Sequence, residues 1–340
     1  MASPRTITLT QSEMKTHNTC QRKHQMLYEF GLRPVQKSQS LTVGSAVHAA
    51  IDKHIKGRGE DFDIIAFMQE AITHNGEYRD YDRAAASVLF STWKAARGMD
   101  AARRALRSEW TFRYSLPGTK GVVIAGQIDR VQTADDGNIQ VVDMKTTSRM
   151  PDDHYWTLAE LDHQEAIYLW AVRKSGFKTA HQAVREVIVK PDIEPSMVTQ
   201  TDEQGVPIVL VDATGERAKN KDGSWKKVAA EGCTTQKRRE TVDEFATRLA
   251  GIVKPETHII ARTMYRTDED IDRAIRTVKA AADQIRGNRK ANFYPQNTAA
   301  CKMWNRPCEF AGICTTAQAG TMYDGFTLVA ERHQELKGNE

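Results

Sequence analysis

Two carboxylates and an ammonium fall close together between Gly126 and Lys145. The stretch reads Gly126-Gln127-Ile128-Asp129-Arg130-Val131, then Asp135-Asp136-Gly137-Asn138, then Ile139-Gln140-Val141-Val142-Asp143-Met144-Lys145. Two β-rich runs flanking an Asp-Gly turn predict a β-hairpin. Asp129 lies on its first strand, and Asp143 and Lys145 lie near the end of the second. Strand side chains alternate faces, so Asp143 and Lys145 point one way and Met144 the other. Such a group can hold a divalent cation through hard oxygen ligands and prepare water to attack a phosphodiester. Lys145 is placed either to position or deprotonate that water or to stabilise charge on the phosphate.

Other residue types with chemical potential stand before and after the hairpin. His48 follows Gly44 by four residues and precedes Asp52 by four, so one helix face carries all three. A histidine ligand tilts a carboxylate site toward Mn2+, because imidazole is softer than oxygen. Gln164 and Tyr168 are also four apart and share a face. Glu109 opens the strand before the hairpin as an additional acidic candidate. Cys20, Cys301, Cys308 and Cys314 form a second constellation. It has no close C-x(2)-C pair of the kind zinc sites favour.

These residues need elements to position them. Thr10-Gln11-Ser12-Glu13 reads as a capping box that starts a helix reaching Phe30 and ended by Gly31. Helices are predicted over Leu41–His54, Phe62–Thr73, Tyr81–Arg97, Leu158–Lys174, Val242–Val253 and Asp268–Arg286. Strands are predicted over Ser108–Leu116, Val184–Val189, Pro207–Val211 and His258–Tyr265. Gly215 to Glu240 carries eight basic residues, including Lys226, Lys227, Lys237, Arg238 and Arg239, with Trp225 among them. It reads as a long loop or excursion, able to track a phosphate backbone or simply to be solvated. The order predicts an α/β fold: a central mixed β-sheet flanked by helices, an N-terminal helical section and a C-terminal cysteine-rich tail.

Composition bounds the function. A chain of 340 residues with 40% hydrophobic and 27% charged content fits a soluble globular protein. No apolar run reaches membrane-spanning length and no apolar leader opens the chain, so no membrane partner and a cytoplasmic location are expected. A net charge of +4 permits a polyanionic partner without requiring one. Five cysteines in an intracellular chain argue for metal binding or free thiols before disulfides.

In order, Gly44-x(3)-His48, Gly126-x(2)-Asp129, Asp143-x-Lys145 and Gln164-x(3)-Tyr168 resemble the motifs of the PD-(D/E)XK nuclease superfamily. More closely, they resemble RecB-like exonucleases with a 4Fe-4S cluster, such as the AddB nuclease domain and the CRISPR-associated adaptation exonuclease, with phage relatives. The resemblance runs from about Leu9 to Cys314. It implies a PD-(D/E)XK core (restriction-endonuclease-like) and one RecB-like nuclease domain over 1–340. Within it, 1–100 would be the helical section with Cys20 and His48, and 101–190 the catalytic core. The remaining core with the basic excursion 215–240 would span 191–290, and the iron–sulfur tail 291–340.

Residue by residue, the resemblance implies His48, Asp129 and Asp143 as ligands of Mg2+ or Mn2+, with Asp129, Asp143 and Lys145 catalytic. Gln164 and Tyr168 would orient DNA or the lysine, and Tyr168 would contact the strand. Cys20, Cys301, Cys308 and Cys314 would hold a 4Fe-4S cluster. A literal Pro-Asp pair is absent, since Ile128 precedes Asp129. The implied function is a metal-dependent DNA exonuclease acting on single-stranded DNA or DNA ends in phage or bacterial recombination or repair, with a protein partner from that process. The alternatives are a structure-specific endonuclease and a nuclease-fold protein that binds without cutting.

Overall fold

The computed structural model describes residues 6–35, 39–74, 76–303, 306–315, 325–333 and 336. The rest of the expected iron–sulfur tail, including 316–324 and 337–340, lies outside the described residues. Six strands form one mixed sheet: β1 (Ile7–Leu9), β2 (Ala105–Ser115), β3 (Val122–Thr133), β4 (Ile139–Thr147), β5 (Gln182–Val189) and β6 (Ile259–Tyr265). The Asp-Gly turn joins β3 to β4 as predicted. Gly137 takes φ +78°, which a side chain would resist.

The pairing of β3 explains where a site can form. β2 lies antiparallel along nearly all of one edge. The other edge is shared: β1 runs parallel to Val122–Ile124, and β4 pairs antiparallel with Arg130–Thr133 only. The last paired couple is Arg130 with Val142, so the next in register would be Asp129 with Asp143. There β4 parts from β3 while staying parallel to β5, paired from Gln140 to Thr147. The sheet forks at the two carboxylates.

Helices cover both faces. α1 (Gln11–Thr19), α6 (Gln164–Lys174) and α8 (Asp268–Ala291) pack Met14, Ile167, Leu169, Val278 and Ile285 against Leu9, Ile124 and Val141. α2 (Gln39–Lys56), α3 (Ile64–Ala71), α4 (Arg79–Trp93) and α7 (Val242–Ile252) pack Val47, Ile51, Met68, Leu89 and Leu249 against Val142, Met144 and Ile188. α5 (Asp153–Leu161) sits over Val187 and Val189 through Trp156 and Ala159. Thr241 with Glu244 and Thr267 with Asp270 form capping boxes at α7 and α8, and Thr10 accepts the Glu13 amide at α1.

Three expectations need correction. The helix predicted from Thr10 to Phe30 breaks at Cys20, which takes extended φ −159° and ψ 115°. It resumes as a short helix, Gln21–His24, and a π-helical turn, Gln25–Phe30, closed by Gly31 at φ +77°. The helix predicted over Leu158–Lys174 is two helices, α5 and α6. Asp162 interrupts it, because its carboxylate accepts the Gln164 amide at 3.1 Å as well as Gln11 and Lys15 from α1. Gly215 to Glu240 is not a plain loop. Cys233–Thr235 pairs with Val209–Val211, and Lys237–Arg239 pairs with Met197–Thr199, both antiparallel and outside the main sheet. Alternation there was hidden by the density of basic residues.

Candidate active site

The fork opens into a pocket of about 210 Å3 lined by His48, Asp129, Asp143, Lys145, Gln164 and Tyr168. Six residues predicted from four separate motifs therefore meet. α2 delivers His48, whose Nδ1 lies 3.8 Å from Asp129 Oδ1, beyond hydrogen-bond reach. Asp129 Oδ2 accepts the Met144 amide at 2.6 Å, which ties β3 to β4 where their ladder has stopped. Lys145 Nζ donates to Asp143 Oδ1 at 2.8 Å, so the two share a face as strand alternation requires, and Met144 is buried opposite.

Gln164 donates its side-chain amide to Asp143 Oδ1 at 2.8 Å and lies 2.9 Å from the Tyr168 hydroxyl. The Asp143 oxygen it holds is the one that also accepts from Lys145. Tyr168 lines the pocket but is largely buried: the residue is 7% exposed and its ring stands edge-on to Phe112. Gly126 makes this packing possible. A Cβ there would lie 2.8 Å from two Phe112 ring carbons and 3.5 Å from the Tyr168 ring.

Glu109 enters the site from the neighbouring strand. It sits within β2 at φ +46°, between the pairs Ser108–Arg130 and Trp110–Ile128 and so opposite Asp129 in register. Ligand atoms of His48, Glu109 and Asp129 lie within 4.8 Å of one another, the one group of this kind among the described residues. Burial, then the Asp129 and Asp52 carboxylates, push the Glu109 carboxyl up to about 8. Asp129 is also raised, by burial and then by Asp143, against the pull of His48 and Lys145. Burial would lower Lys145, but Asp143 and Asp129 outweigh it and its ammonium is held above the usual range. Asp143 Oδ2 is buried with no hydrogen-bond partner. The hard oxygens of Glu109 and Asp129 with the His48 imidazole fit a divalent cation. Asp143 stands outside this group, with Lys145 and Gln164 on Oδ1 and Arg185 3.5 Å from Oδ2.

Sequence reading missed the layer behind Asp143. Arg185, opposite it on β5, brings Nε to 3.5 Å from Asp143 Oδ2 and pairs with the buried Glu165 through Nη2. Arg266 stands 3.6 Å from the other oxygen of Glu165. The signal was an adjacent pair of charges, Arg185 and Glu186, inside an otherwise apolar strand, Ala183-Val184-Arg185-Glu186-Val187, which such a strand does not carry without partners.

The cysteines form a separate region. The Asn297 amide lies 3.5 Å from Cys20 Sγ, Cys308 donates its amide to the Cys301 carbonyl at 2.8 Å, and the Arg22 amide reaches the Pro295 carbonyl at 3.1 Å. Burial raises the Cys314 thiol, with Cys20 and Cys301 adding to the rise against Arg22. The tail thus returns to the helix break at Cys20. All four thiols are free. Phe310 and Ile313 anchor the tail against Met26 and Leu32.

The basic candidates scatter. Lys226 and Lys227 line a shallow concavity beside Trp225, over whose ring Arg217 and Lys219 sit at 4.4 and 4.7 Å. Lys237 is on the outer strand pair. Arg238 is bidentate to Glu244 at 2.6 and 2.7 Å, and Arg239 pairs with Glu77, so these two are already engaged by carboxylates.

Comparison with known proteins bears on the whole chain. The family model described as the PD-(D/E)XK nuclease superfamily matches residues 8–315. No curated protein matches significantly. Among solved structures, a candidate exonuclease from Eubacterium rectale is similar at 13% identity and TM-score 0.46, over 90% of this chain and 92% of that one. The protein SSO0001 is similar at 13% identity and TM-score 0.25, over 55% of this chain and 65% of that one.

Proposed function

The chain belongs to the PD-(D/E)XK nuclease superfamily, and on that premise we propose that it is a metal-dependent DNA exonuclease. Its substrate is single-stranded DNA or DNA ends, in phage or bacterial recombination or repair. The observation that carries this reading is the fork, which sets Asp129, Asp143 and Lys145 around one pocket with His48. His48, Asp129 and Asp143 would hold Mg2+ or Mn2+, with Glu109 as a further ligand beside His48. Such a cation supplies a lowered pKa for nearby water and neutralises charge on the phosphate. Lys145 directs its ammonium into the pocket to orient water and to face the phosphoryl oxygens. Gln164 fixes the Asp143 carboxylate, and the Tyr168 hydroxyl beside it fixes Gln164.

Cys20, Cys301, Cys308 and Cys314 we read as ligands of a structural 4Fe-4S cluster that fastens the tail to the N-terminal helices. The spacing C-x(6)-C-x(5)-C, with no close C-x(2)-C pair, favours a cluster over zinc. Cys233 lies outside this set, near Lys226.

End dependence is tested with a covalently closed single-stranded circle beside its linear form, at matched enzyme and Mn2+. The linear strand should be degraded and the circle spared. Equal cutting of both would make the protein an endonuclease.

A further inference from the structure

A pocket of about 210 Å3 is smaller than the roughly 300–1,000 Å3 of ordinary ligand sites. It accommodates the scissile phosphate and little of the chain on either side, so a polymeric substrate must lie against another surface. A groove of about 980 Å3 lies between the end of α2 and the start of β2. Ser108, on its wall, immediately precedes Glu109 of the site and donates to Asp52 at 2.7 Å. Asp52 lies one helical turn beyond His48.

The lining has the composition of a strand-binding surface. Lys56, Arg58, Arg103 and Arg107 face it with Asp100 as the one acidic lining residue, and Met99 and Leu106 expose 69% and 46% of their surface. Arg58 and Arg107 have no ion pair among the described residues, while Arg103 pairs with Asp100 and Lys56 with Asp52 at the surface. Arg238 and Arg239 of the 215–240 segment are both paired. Arg107 is stiffened by stacking 4.2 Å over Trp110. A row of basic groups suits the phosphates of a single nucleic-acid strand, and the exposed Met99 and Leu106 leave apolar surface beside them.

We propose that this groove between α2 and β2 binds the single-stranded DNA backbone adjoining the scissile phosphate, making it the substrate track of the active site. The proposal rests on the nuclease reading given above. It places the principal DNA contact on Arg58, Arg103 and Arg107, not on the 215–240 segment.

The test is the double charge reversal Arg58→Glu with Arg103→Glu, both exposed, where loss of the Arg103–Asp100 surface pair costs little. Affinity for a single-stranded oligodeoxynucleotide is read by anisotropy over a salt series, and hydrolysis of the oligomer is compared with that of a dinucleotide. The variant should bind the oligomer at least about tenfold more weakly, with the slope of log affinity against log salt reduced by roughly 1.4, two lost phosphate contacts on a single strand. Oligomer hydrolysis at low substrate should fall about tenfold further than dinucleotide hydrolysis. The milder Arg58→Ala with Arg103→Ala pair should move both readouts in the same direction. Unchanged affinity and slope in either variant, while the wild-type protein cuts DNA, would overturn the groove alone. Equal losses on oligomer and dinucleotide would also overturn it. A wild-type protein that neither binds nor cuts DNA would instead remove the nuclease reading.

Discussion

Asp143→Asn is expected to reduce DNA cleavage by at least about a thousandfold, the scale of losing a principal electrostatic element of an active site. Asp143 is 1% exposed and has Lys145, Gln164 and Arg185 around its two oxygens. Asparagine keeps the volume and one acceptor but removes the charge that a cation and Lys145 both require. Alanine would also leave Arg185 and Lys145 without their shared carboxylate, and breaking a buried pair costs roughly 3–5 kcal/mol, so its loss of activity would mix chemistry with folding. Lys145→Ala should lower cleavage by a similar factor yet leave Mn2+ affinity largely intact. Glu109→Gln should weaken Mn2+ binding by at least about tenfold. Mn2+ titration by electron paramagnetic resonance, alongside cleavage rates and circular dichroism, separates these outcomes. A folded Asp143→Asn protein cutting at the wild-type rate would remove Asp143 from the mechanism.

Cys20→Ala is expected to cost both iron and soluble protein. Cys20 and Cys314 are separated by most of the chain yet stand in the same region. A link closing so long a loop is worth on the order of 5 kcal/mol in the chain-entropy account, comparable to the whole stability of many domains. Wild-type protein prepared anaerobically should be brown and contain iron and sulfide. The variant should be colourless and mostly insoluble. Colourless wild-type protein with stoichiometric zinc and no iron would reject the cluster.

Much of the site was legible because its chemistry is written in short spacings. Asp143-x-Lys145 needs only the two-residue alternation of a strand, and His48 and Gln164-x(3)-Tyr168 need only a helical turn. The fork was not legible, since it depends on β1 and β4 dividing one edge of β3 between them, a matter of long-range pairing. Glu109 was visible as an acid on a strand, but its place opposite Asp129, at φ +46°, depends on the long-range pairing of β2 with β3. The burial of Tyr168 was not legible, because helix spacing fixes a face without saying how deeply that face is buried. Arg238 and Arg239 looked free because Glu244 and Glu77 reach them through tertiary packing and strand pairing. The breaks at Cys20 and Asp162 both fall at residues with long-range partners, which a local reading does not see.

The central claim is that the carboxylates at the fork bind a divalent cation and cut DNA. Its most direct test is cleavage of end-labelled linear single-stranded DNA by the purified protein, without added metal, with Mn2+ or Mg2+, and with the metal removed again by chelation. The account predicts no cleavage without metal, progressive shortening from the end with Mn2+, and its arrest on chelation, with Asp143→Asn inactive throughout. Cleavage that persists in chelator, or a wild-type protein inert on DNA with either metal, would contradict it.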